Sequence, residues 1–159
     1  MRDIAGLGQP ELDDYFLRQA FAVARRALAH GNHPFGAILV DEQRHVLLEA
    51  ENGYMPSRDR TGHAERLLFG TEVLAKATLY SSAEPCAMCA GAIYWAGIGR
   101  VVYGLSEARL RGVTGNHPEN PTLDLPCREV FRSGQRATEV VGPLLEDEAE
   151  ALHAGVWTR

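Results

Sequence analysis

The chain is poor in lysine, cysteine and long apolar runs, and each shortage narrows what it can be. Lys76 is its single lysine, and 16 basic residues stand against 21 acidic ones, a formal charge of −5. A protein that grips a nucleic-acid backbone carries an excess of Lys and Arg, so this balance disfavours a large polyanionic partner. The arginine clusters "SRDR" (57–60) and "ARLRG" (108–112) read as readily as solvated surface. Three cysteines make no disulfide framework and leave one thiol over. No apolar run reaches the roughly 18–20 residues that span a bilayer, and "MRDIAGLGQPELDD" has no stretch of signal-peptide kind. A cytoplasmic, reducing location is the expectation. There is no tandem repeat or low-complexity tract, and 159 residues are expected to form one domain, 1–159.

What is present alternates between two periods. Leu12, Phe16, Ala20, Val23 and Ala27 recur at helical spacing, and Gly31 and Asn32 supply a stop. "GAILV" (36–40) and "HVLLEA" (45–50) read as strands of a hairpin. A helix is expected from near His63 toward Leu74, a strand at "TLYSS" (78–82), a helix from about Pro85 to Ala96, and a strand at "RVVYGL" (100–105). Residues 106–126 look like a long loop around at most one short helix. "TEVVGPL" is a last strand candidate, and Leu145, Ala149, Leu152 and Val156 mark a closing helix. Alternating helices and strands predict an α/β layer structure with a largely buried sheet.

Cys86 and Cys89 stand three apart just after Pro85. On a helix that spacing puts both sulfurs on one face, and the amino end of a helix favours thiolates. A disulfide and a redox C-x-x-C are the competing readings. His63, at another predicted helix start, adds an imidazole. One imidazole and two thiolates make three zinc ligands, with the fourth position open to water as in a catalytic site. Glu65 reads in two ways: an acid in a helix first turn, or a general acid/base beside that water.

"HAE" followed by "PCAMC" matches the H-x-E…P-C-x-x-C signature of zinc nucleobase deaminases. The chain resembles the cytidine deaminase-like superfamily, in the branch of tRNA adenosine, guanine and fungal-type cytosine deaminases. The likeness runs through "PFGAILV", the Asn52 of "AENGY", "TGHAE" and "TLYSSAEPCAMCAGAIYWAGIGRVVYG". It implies a three-layer α/β/α fold with a mixed sheet of about five strands, often a homodimer. It also implies one Zn²⁺ per chain with a bound water, held by His63, Cys86 and Cys89, with Glu65 as proton shuttle and Asn52 bonded to the substrate base. The implied reaction is hydrolytic release of ammonia from an amino-substituted ring.

The substrate is less sharply marked. "PCAMCAGAIYW" resembles the guanine deaminase form of the motif, which favours a guanine-like ring. Ala64, Tyr94, Trp95 and Trp157 are the further substrate-binding candidates, with core or subunit packing as the other reading of the three aromatics. The C-terminal "LLEDEAEALHAGVWTR" is acidic until its last residue, whereas tRNA-editing relatives carry a basic end. A small heterocycle is therefore expected ahead of tRNA. In 115–131, His117, Asp124, Cys127 and Glu129 are candidates to read that heterocycle. Cys127 also opens a rival from another class, a closed Cys₃His site in a structural zinc module.

Overall fold

The computed structural model describes residues 4–52 and 71–158. Helix α1 (Gln9–Ala29) starts with a proline in its first turn, and its apolar stripe is buried from Leu12 to Ala27. Strands β1 (Gly36–Val40) and β2 (Val46–Glu51) form the expected hairpin. Most of the helix expected from His63 lies outside the described residues, which show α2 (Thr71–Lys76). Then come β3 (Thr78–Ala83), α3 (Ala87–Ala96), β4 (Arg100–Leu105) and α4 (Glu107–Thr114). Helix α5 (Cys127–Arg132), strand β5 (Glu139–Val141) and helix α6 (Glu146–Ala151) complete the order.

The five strands form one mixed sheet in the order β2-β1-β3-β4-β5. β1 runs antiparallel to β2 and β3, whereas β3, β4 and β5 are parallel. Because strand side chains alternate between faces, the sheet feeds two cores. Ile38, Val40, Tyr80 and Val102 pack with α1 and the α6 region on one side. Ala37, Leu39, Leu79, Val101 and Tyr103 pack with residues of α2, α3 and α5 on the other. This is the expected three-layer α/β/α arrangement. Gly36 is required where α1 crosses β1, because a Cβ there would lie 2.8 Å from the Ala20 carbonyl oxygen.

Two boundaries and one element differ from expectation. Helix α3 begins at Ala87 and not near Pro85, with Cys86 as its N-cap residue in extended conformation. Helix α5 was not expected at all. The closing helix stops at Ala151, and Leu152 to Trp157 continue in turns.

Candidate active site

The parallel strands β3 and β4 end side by side at Ala83 and Leu105. In an open α/β sheet the crevice beyond such carboxyl ends is where ligands bind. Past Ala83 the chain runs through Glu84 and Pro85 into Cys86. Cys86 is partly exposed and Cys89 is buried one turn on; neither is in a disulfide. Both sulfurs thus belong to the amino end of α3, whose peptide dipoles favour their thiolate form. Two thiolates one turn apart are a donor pair suited to a soft divalent ion such as zinc. His63, Ala64 and Glu65 lie outside the described residues.

The antiparallel strands bring other residues to the same end of the sheet. β1 begins where β3 ends, and the Gly36 N–H donates to the Ser82 hydroxyl at 3.1 Å. Gly36 also pairs with Glu51, so Asn52 follows β2 at this end, its N–H donating to the Phe35 carbonyl at 3.0 Å. The C-terminal turn arrives beside it. The Trp157 ring stacks on His33 at 4.7 Å between centroids and meets the edge of His117 at 5.2 Å. Its indole N–H donates to His153 Nδ1 at 3.0 Å. His33 Nε2 lies 2.9 Å from Glu119, which ties the loop after α4 to the residues before β1. Asn52 and Trp157 therefore share the neighbourhood of Phe35, whose ring centroid is 6.4 Å from that of Trp157.

The carboxyl group two residues before Cys86 binds the amino ends of two other helices. Glu84 is 7% exposed. Its Oε2 accepts the Glu107 N–H at 2.8 Å and its Oε1 accepts the Cys127 N–H at 3.0 Å. Burial, then the negative fields of Cys86, Glu84 and Asp124, push the Glu107 carboxyl up to about 7; a cation held by the thiolates would pull it back down. Burial, with the charge and hydrogen bond of Glu84, pushes the Cys127 thiol up to about 12. Among the described residues no group of three or more His, Cys, Asp or Glu side chains could hold a metal ion, so Cys127 does not complete a site with Cys86 and Cys89.

Comparison with known proteins gives this arrangement a family. Residues 10–105 match the model of the cytidine and deoxycytidylate deaminase zinc-binding region. The chain belongs to that deaminase family. The deaminase is 43% identical over 152 residues to a probable cytosine deaminase of Schizosaccharomyces pombe, covering 92% of this chain and 93% of the relative. It is 38% identical over 104 residues to a tRNA-specific adenosine deaminase of Haemophilus influenzae, covering 61% and 60%. The structure of a guanine deaminase from Nitrosomonas europaea superposes with a TM-score of 0.71 at 24% identity, covering 92% of this chain and 84% of that one, a likeness of fold.

Not every sequence candidate gathers at the sheet end of the deaminase. The Tyr94 hydroxyl accepts the Gln135 N–H at 3.1 Å, and Arg136 lies over its ring at 4.7 Å. Trp95 is 85% exposed at the far end of α3. Glu129 is ion-paired with Arg132, and Asp124 lies 3.3 Å from Arg111. The sequence reading passed over Glu84, His33 and His153. The signal for Glu84 was present: a charged residue at the buried end of "TLYSSAEPC" needs partners.

Proposed function

We propose that this deaminase is a zinc-dependent aminohydrolase that acts on a small free nucleobase or related heterocycle and releases ammonia. The Cys86–Cys89 pair at the amino end of α3, beside the ends of β3 and β4, is the observation that carries it. In this reading His63, Cys86 and Cys89 hold one Zn²⁺ and leave a fourth position to water. When bound, the ion would act as a Lewis acid that brings the pKa of water from about 15.7 toward 7. Glu65 would take one proton from water and pass it to a ring nitrogen as the new C–O bond forms. It would then take the remaining proton of the new hydroxyl group and give it to the exocyclic nitrogen, so that the C–N bond breaks, the C=O forms and ammonia leaves. Asn52 bonds the ring, and Trp157, with His33 and His117 against it, walls the pocket.

Within that class the "PCAMCAGAIYW" motif favours a guanine-like ring. A second reading, cytosine, is favoured by the 43% identity to a probable cytosine deaminase over nearly the full chain. The Tyr94 ring is packed under Arg136 and its hydroxyl accepts the Gln135 N–H, which supports a structural role for it ahead of stacking a purine. tRNA is disfavoured by the net charge of −5 and by Glu146, Asp147 and Glu148 in the first turn of α6.

The test is ammonia release from guanine, cytosine, adenine, their nucleosides, aminopterins and triazines, with tRNA assayed beside them. Turnover of a free base is expected; preference for an anticodon-loop adenosine would overturn the small-molecule reading. Glu65→Gln is expected to keep zinc and fold while turnover falls by about two to four orders of magnitude. In metal analysis Cys86→Ser loses zinc and Cys127→Ser retains it. Equal loss from both would restore the structural zinc module.

A further inference from the structure

Glu84 is a buried carboxyl side chain whose two oxygens accept backbone N–H groups. Its own N–H donates to the Leu105 carbonyl at 2.7 Å, fixing it between the ends of β3 and β4. Its two oxygens take the N–H groups of Glu107 and Cys127, the first residues of α4 and α5. Those helices bracket residues 115–126, the segment that delivers His117 and Glu119 to Trp157 and His33. One side chain, two residues before Cys86, therefore anchors the helix that leads into that segment at its amino end and the residue that follows the segment.

We propose that Glu84 is the positioning residue that registers the substrate-side 115–126 segment against the Cys86–Cys89 turn. The inference rests on the deaminase reading. A carboxylate accepts both N–H groups without conflict, whereas an amide presents one oxygen and one N–H₂ to two donors. Buried charge-assisted bonds to backbone N–H groups are among the strong ones. The expected consequence of losing one is a loosened pocket wall, with the metal-binding turn intact.

The Cys127 donor can be removed with little backbone cost. Cys127 is the first residue of α5, where its N–H has no partner within the helix and proline is favoured. Pro126 before it has φ −58° and ψ 144°, the conformation that a residue preceding proline prefers. Cys127→Pro removes that N–H, and Cys127→Ala keeps it while removing the thiol.

The experiment measures KM and kcat on cytosine and guanine, with the thiolate-to-metal charge-transfer band of the Co²⁺-loaded protein as the second readout. Glu84→Gln and Cys127→Pro are expected to raise KM about tenfold, with kcat within about threefold and the Co²⁺ band retained. Cys127→Ala is expected to stay within about twofold in KM. Unchanged KM in Cys127→Pro overturns the proposal, and so does an equal rise in Cys127→Ala or loss of the Co²⁺ band from Glu84→Gln. If Glu84→Gln does not fold, Cys127→Pro decides. Absence of turnover by the unaltered protein on any base overturns the deaminase reading and this inference together; turnover with KM unmoved in the variants overturns the inference alone.

Discussion

His153 is 2% exposed, and its Nδ1 accepts the Trp157 indole N–H. Burial, with His33 nearby, brings its pKa down to about 4, so it is neutral in the folded chain at pH 6. The unfolded chain takes up a proton near pH 6.5 and the folded one does not until about pH 4. The contribution of His153 to stability is therefore expected to fall as the pH drops from about 6.5 to 4, by up to about 3 kcal/mol, while Glu107, raised to about 7, works in the opposite direction over the same range. Thermal unfolding of the unaltered protein and of His153→Gln, which keeps an acceptor for Trp157, checks it: the difference between the two is expected to follow that His153 contribution. The residues proposed to carry the chemistry were the most legible at this scale. Cys86 and Cys89 announce themselves by spacing, because ligand geometry is local. Glu84 and His153 do not, because their partners lie tens of residues away.

Among elements, α1 is held to the sheet by more than its apolar stripe. Asp13, 4% exposed, accepts both ends of the Arg100 guanidinium of β4 at 2.7 Å, the Tyr80 hydroxyl at 3.0 Å and Gln9 at 2.8 Å. Burial alone would raise its pKa, yet these bonds hold the carboxyl below its ordinary value. Asp13→Asn removes the bidentate partner of Arg100 and leaves it the exposed Glu139 at 3.2 Å, and is expected to cost about 2 kcal/mol, read as a lowered urea midpoint. The helical period of α1 was plain from Leu12 to Ala27, but nothing in it separates Asp13 from the solvent-facing acids beside it. Helix α5 was invisible for a related reason. It has six residues after a proline-rich run, too few for a period to show, and its first N–H is bonded by Glu84 from another segment.

For the whole molecule, the resemblance implies a homodimer, and α3 leaves Met88 47% and Trp95 85% exposed. Light scattering is expected to give twice the chain mass, and Trp95→Lys to shift it toward one chain. The same charge argument that disfavours tRNA predicts no retardation of a tRNA anticodon stem-loop at physiological salt, where phosphate contacts are already weakened. Among the described residues no helix is long and apolar enough to cross a membrane.

The order of the strands, the helical periods of α1 and α3, the two-sided burial of the sheet and the Cys86–Cys89 spacing were determined by the sequence alone. Each is written in short-range periods and spacings that neighbouring residues enforce. What the tertiary structure decided is which distant groups meet. The antiparallel turn of β1 against β3 carries Asn52 and Phe35 to the thiolate end, and the C-terminal turn lays Trp157 on His33. Glu84 gathers the amino ends of two helices. Such meetings depend on how layers pack, and hydrophobic burial that drives the packing has no direction of its own. A pattern read along one chain says which face is buried but not which residues face each other across it.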